Sequence, residues 1–235
     1  MPSNPATQQP SNPAQIRTMF AAIAARYDRA NTVLSGGIHN LWRRRTLRRS
    51  GVRAGDRVLD CATGTGDLAI RFSKAGASVV GIDFTPEMIE LARGKAPNIP
   101  FEVGDVTSLR FDDQSFDIAS IGFGIRNVAD PEKGIAEMAR VAKKVVILEF
   151  GQPRNPMLRA MYRFYCKHLL PWLGGIVTGN REAYEYLEFS SGIFPSGPEF
   201  VELMRKSAPF DNIDYQPLSL GIAWLYVGET SGSDL

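Results

Sequence analysis

The stretch VLDCATGTGDLA, residues 58–69, decides the fold. A short apolar run ends at an acid, a glycine turn follows, and an amphipathic segment starts at once. Gly64, Gly66 and Ala69 have the G-x-G-x-x-G/A spacing of a nucleotide-binding turn between a strand and a helix. RVLDCA (57–62) reads as the strand, and GDLAIRFSKAG (66–76) as a helix closed by a glycine. The same alternation continues downstream. Strands are predicted over 78–83, 99–105, 115–123 and 144–150, and helices over 86–96 and 131–142. Alternating strands and helices argue for a mostly parallel sheet covered by helices on both faces, an α/β Rossmann-like fold. After Phe150 the alternation stops, and 153–207 reads as helical or irregular, with Pro171, Gly174, Gly175, Pro195 and Pro198 as breakers. Strands at 213–219 and 221–228 leave room only for a hairpin, so the seventh strand is expected to be antiparallel.

Upstream of the turn, 16–49 has a helical pattern broken near Ser35, Gly36 and Gly37. The expected organisation is a disordered lead-in over 1–15 and a single domain over 16–229. Helical cap segments fall at 16–50 and 153–207, and a flexible tail at 230–235. The lead-in has neither a basic start nor an apolar run, so it does not read as a secretory signal. The chain has 235 residues, 44% hydrophobic and 22% charged, which suits one globular domain. A net charge of +2 gives no whole-molecule field for nucleic acid. Two cysteines fit a reducing, cytoplasmic compartment, and no apolar run reaches the ~20 residues of a membrane span. No metal-ligand set is read.

The acids choose the cofactor. Ligands of open α/β sheets sit at the carboxyl ends of the strands. Asp60, Asp67, Asp83 and Asp105 fall at or beside such ends. Asp83 lies 19 residues after Gly64, the spacing of an acid that accepts the ribose hydroxyls; Phe84 follows it. Asp105 is expected to accept the adenine amine, with the Val106 amide donating to the ring. Asp60 and Asp67 flank the glycine turn, where a pyrophosphate would face two carboxylates. S-adenosylmethionine has no phosphate and carries an ammonium and a sulfonium, so the acids favour it over a nicotinamide dinucleotide. Gly64 and Gly66 let the backbone come close, and Thr65 offers a hydroxyl or an amide.

This ordered set resembles class I methyltransferases. More narrowly, the chain resembles the C-methyltransferases of menaquinone and ubiquinone biosynthesis. The resemblance is carried by MFAAIAARYDRANTVLSGGIHNLWRR (19–44), VLDCATGTGDLA (58–69), GFGIRNVADPEKGIAEMARV (122–141) and LEFGQP (148–153), and more weakly by REAYEYLEFSSGIFPS (181–196). Two departures stand out. Gly122 occupies the position of a serine associated with the cofactor pocket. The Lys-Pro-Gly-Gly loop before the fifth strand is replaced by Ala142-Lys143-Lys144.

The resemblance implies methylation of a ring carbon on a prenylated quinol. A neutral ring carbon is a poor nucleophile, and ionising the neighbouring hydroxyl pushes electron density onto it. The reduced ring is therefore the expected acceptor. His39 is a candidate base, since histidine titrates near neutrality. Arg126 is a candidate for stabilising the phenolate, and Asn127 for orienting the other oxygen. Tyr27, with Asp28, is a candidate lid over the cofactor. LWRRRTLRRSGVR (41–53) carries six arginines and no acid, and Leu41, Trp42 and Leu47 lie among them. That stripe suits a peripheral contact with an anionic membrane surface at the inner face, where a prenylated substrate resides. FYCKHLLPWLGGIV (164–177) is expected to cap the site or line a prenyl tunnel. The other readings are a methyltransferase for another small phenol or lipid, a silent S-adenosylmethionine-binding module, and a dehydrogenase.

Overall fold

The computed structural model describes residues 13–230. Its centre is a seven-stranded sheet in the order β3-β2-β1-β4-β5-β7-β6. The strands are β1 (Arg57–Cys61), β2 (Ser78–Asp83), β3 (Phe101–Val103), β4 (Ile118–Gly122), β5 (Lys144–Phe150), β6 (Phe210–Leu218) and β7 (Ala223–Thr230). β1 to β5 run parallel, and β7 is antiparallel to both β5 and β6. The hairpin at 219–221 needs three successive left-handed residues, Ser219, Leu220 and Gly221. β3 is three residues long rather than seven, because it is an edge strand paired only with β2. β4 starts at Ile118; Phe116 forms only an isolated bridge to Ala142.

Inner strands are apolar on both sides because helices cover both. Along β5, Val145 and Ile147 face one cluster, while Val146 and Leu148 face the other. The first cluster takes Ile135 and Met138 of α6 (Pro131–Val141) and Phe200 and Met204 of α10 (Pro198–Ser207). The second takes Trp42 of α3 (Ile38–Ser50), Leu68 and Phe72 of α4 (Asp67–Lys74), and Ile89 of α5 (Pro86–Lys95). Proline opens α5, α6 and α10, where its missing N–H costs nothing. Only Ala142 and Lys143 separate α6 from β5, so the turn before the fifth strand is as short as the sequence suggests.

A third cluster builds the cap. α1 (Pro13–Ile23) and α2 (Tyr27–Leu34) meet α7 (Pro156–Phe164), a π-helical turn (Tyr165–Leu169), α8 (Leu170–Thr178) and α9 (Glu182–Ile193). Arg26 donates to the Thr178 carbonyl at 2.9 Å and the Tyr165 hydroxyl to the Leu34 carbonyl at 2.6 Å, tying the two cap segments together. The helix of α1 begins at Pro13, inside the expected lead-in; the rest of that lead-in, and the tail beyond Thr230, lie outside the described residues.

Candidate active site

Two cavities open at the carboxyl ends of the strands. The smaller, about 120 Å³, is lined by Gly64, Asp83, Phe84, Asp105, Val106, Gly122 and Asn127, among others. The larger, about 440 Å³, lies under the cap and is mainly apolar. Phe20, Tyr27 and Phe123 border both, so three aromatic rings form the junction.

The small cavity is built by the glycine turn and its acids. Asp83 is buried; one oxygen accepts from the Gly64 amide at 2.8 Å and the other from the Thr85 amide at 2.9 Å. One acid therefore fixes the turn and also faces the cavity, with lone pairs left for a diol. Burial raises its carboxyl above the ordinary value. Gly66, at φ +82°, caps α4, and a Cβ there would sit 2.8 Å from the Phe101 ring. Ala62 (φ +46°) and Phe123 (φ +59°) are left-handed without being glycine, and both line this cavity. Such strain collects where a site needs a particular backbone shape. Asp105 accepts from the Thr107 amide and hydroxyl through one oxygen, leaving the other without a protein donor. A Cβ on Gly122 would meet only Leu68, at 3.4 Å, so a serine fits there.

Asp60, Thr65 and Gly66 do not line the small cavity. Asp60 lies beneath the turn, 1% exposed, and accepts from Thr63 and Ser120 hydroxyls, each at 2.6 Å. Burial pushes its carboxyl up to about 6. The Thr65 hydroxyl donates to Asp28 at 2.6 Å, and Lys95 binds Asp28, Thr65 and Asp67 together. Asp67 also faces Arg43 at 3.6 Å. The turn is thus not a bare acidic bend: Asp67 is already neutralised by two cations. Its electrostatic preference against a diphosphate is correspondingly weaker than the sequence implies.

The large cavity has a polar end, where His39, Arg43, Arg126, Asn31 and Tyr27 lie. Ser35 Oγ spends its proton on the Asn31 carbonyl at 2.6 Å, so His39 Nδ1 must donate to Ser35 across 2.6 Å. Nε2 is then the acceptor. Burial, then Arg43, lowers the imidazole to about 4. His39 is therefore neutral at neutral pH, titrating below the near-neutral range expected of it. Burial keeps the Tyr27 phenol protonated. Arg126 pairs with Glu149 at 2.8 Å, both side chains almost fully buried, and donates to the Phe123 carbonyl at 2.6 Å. Its Nε has no partner. Asn127 accepts from the Tyr186 hydroxyl at 3.1 Å.

Sequence reading missed Glu149, although it ends β5 as Asp60 and Asp83 end their strands. It also missed Phe20 and the ring of Phe123, which have no motif. The arginine stripe is split: Arg43 turns inward, Arg45 reaches Gln216, and Arg49 pairs with Asp214. Trp42 is 6% exposed and donates to Ser219 at 2.9 Å, and Leu47 packs on the core, so neither is offered to a surface. From 164–177, Cys166 and Leu170 line the large cavity, while Phe164, Trp172 and Ile176 are exposed.

A model of the ubiE/COQ5 methyltransferase family matches residues 8–230. The chain belongs to that family. It is 52% identical over 226 residues to the ubiquinone/menaquinone biosynthesis C-methyltransferase UbiE of Bdellovibrio bacteriovorus, covering 92% of this chain and 96% of that protein. It is 42% identical to the demethylmenaquinone methyltransferase of Deinococcus radiodurans, covering 91% and 92%. Its fold matches a SAM-dependent methyltransferase from Thermotoga maritima at a TM-score of 0.67 and 18% identity, covering 92% of this chain and all of that one. The family is one of S-adenosylmethionine-dependent enzymes, so the dehydrogenase reading falls. Asp83, Phe84, Asp105 and Val106, the residues expected to meet the ribose and adenine, all line the small cavity.

Proposed function

We propose that the protein methylates a ring carbon of a prenylated quinol, demethylmenaquinol or the equivalent ubiquinol precursor. One observation carries this reading. A buried arginine with an unpartnered N–H, Arg126, lines an apolar cavity that shares three aromatic residues with the cofactor cavity. The cofactor, when bound, supplies an electrophilic methyl on a sulfonium. The protein must hold the ring in line, keep water out and favour the ionised hydroxyl.

Arg126 Nε is the donor for that oxyanion. A fixed, desolvated donor of this kind stabilises developing charge far better than water does. Glu149 consumes the other face of the guanidinium, and so aims Nε. His39, lowered to about 4, is neutral at neutral pH, so Nε2 is open to accept from a ring hydroxyl and to relay its proton to bulk water as the hydroxyl ionises. Asn127 orients the second oxygen through Tyr186. Phe20, Tyr27 and Phe123 exclude solvent where the methyl crosses.

The prenyl chain leaves past Ile38, Met161 and Leu220, which line the large cavity and are exposed. The protein works from the cytoplasmic side against an anionic membrane surface. Exposed Met157, Met161, Phe164, Trp172 and Ile176 lie along α7 to α8, and the chain from 150 to 181 has five Lys or Arg and no acid. Among the described residues no helix is long and apolar enough to cross a membrane. Incubation with methyl-labelled S-adenosylmethionine and a short-chain demethylmenaquinone tests the reaction. Label is expected on the ring carbon of the reduced acceptor only; equal transfer to the oxidised form, or none to either, refutes the reading.

A further inference from the structure

Of the six arginines in 41–53, Arg43 alone is buried; it is 9% exposed. Its position on α3 turns it toward α4 and the polar end of the large cavity. NH2 lies 3.6 Å from Asp67, beyond a direct hydrogen bond, and Lys95 holds the other Asp67 oxygen at 2.5 Å. Arg43 NH1 is buried and has no hydrogen-bond partner among the described residues. A desolvated charged N–H left unpaired costs more than a neutral one, and native proteins keep such groups for a reason. Arg43 reaches the first turn of α4, beside the glycine turn, whereas Arg126 is held against Phe123, Phe150 and Glu149. The two guanidinium groups line the same cavity but have different neighbours.

We propose that Arg43 binds the carboxylate of the cofactor's methionine moiety. This deepens the reading above and rests on it. Adenosine in the small cavity, between Asp83 and Asp105, leaves the amino-acid end to lie along the glycine turn. There Asp28, Thr65, Asp67 and Lys95 already satisfy one another. The Arg43 NH1 group is a charged donor beside them that has no hydrogen-bond partner among the described residues. A carboxylate is planar and takes a guanidinium N–H in a short charge-assisted bond, which an ammonium cannot do.

Calorimetry with the full chain and two nucleosides tests this. S-adenosylhomocysteine carries the carboxylate; 5′-methylthioadenosine has the same adenosine and thioether without it. Arg43→Met is expected to weaken S-adenosylhomocysteine about tenfold or more and 5′-methylthioadenosine by less than about twofold. Arg43→Lys is expected to recover most of the loss. Arg43→Gln, which keeps an N–H and loses the charge, gives the same selectivity ratio should Arg43→Met fold poorly. Equal loss for both nucleosides, no loss for either, or a raised quinol KM with unchanged nucleoside binding overturns the assignment while leaving the reaction intact. Wild-type protein that binds neither nucleoside overturns both.

Discussion

Arg126 and Glu149 show how one buried pair can define a role. Removing one partner of such a pair leaves an uncompensated charge, at a cost of about 3–5 kcal/mol. Arg126→Ala therefore confounds folding with catalysis. Arg126→Lys keeps the charge and loses the fork, and Glu149→Gln keeps the shape and loses the aim. Both are expected to lower kcat by about tenfold or more while the nucleoside Kd stays put, as befits a donor acting on developing charge. Normal turnover of a quinol analogue by Arg126→Lys would contradict the assignment. Glu149 was readable as a strand-end acid, like Asp83. Its partner was not, because Arg126 comes 23 residues earlier and meets it only once β4 and β5 are side by side.

At the scale of elements, the arginine helix and the cap helices exchange roles. The composition of α3 reads as a basic surface stripe, and the fold turns Trp42, Leu47 and Arg43 inward while Ile38 and Leu41 stay exposed. More exposed apolar side chains lie on α7, the π-helical turn and α8: Met157, Met161, Phe164, Leu169, Trp172 and Ile176. A helical wheel of 156–178 could have suggested an amphipathic cap. The extra residue of the π turn shifts the register by one, and that shift has no sequence signature. Each Lys or Arg near an anionic surface contributes about 1 kcal/mol, and buried apolar side chains add to it. Phe164→Ser with Trp172→Ser is expected to cut sedimentation with anionic liposomes severalfold, and Arg44→Glu with Arg48→Glu to cut it less. The reverse ranking would return the membrane face to α3.

Among the buried titrating groups of the described residues, Asp60 and His39 have opposite effects on stability. Asp60 sits at about 6 in the fold against an ordinary 3.8, so the native state holds the proton more tightly. Its contribution is complete below pH 3.8 and is lost as pH rises through about 6, an upper bound of ~3 kcal/mol. His39 sits at about 4 against 6.5, so its contribution is present above pH 6.5 and is lost as pH falls through about 4. Across pH 4–6.5 the two oppose each other in the wild type, and Asp83, also raised by burial, adds to the Asp60 side. In urea midpoints, Asp60→Asn should rise with pH over that window relative to wild type, and His39→Gln should fall. Parallel profiles for all three would show that neither group is perturbed as the geometry implies.

By itself the sequence determined the alternation of strands and helices, the closing hairpin, the glycine turn and the strand-end acids Asp83 and Asp105. These are local: periodicity, turn chemistry and strand ends are written within a few residues of one another. The tertiary structure alone decided which acids face a cavity and which are consumed. It spent Asp60 on two hydroxyls, gave Asp67 two cations, and made His39 a neutral acceptor. It also joined the two cavities at Phe20, Tyr27 and Phe123. Burial and partner choice depend on residues far apart in the chain, such as Trp42 and Ser219, and those meet only when the cap closes over the sheet.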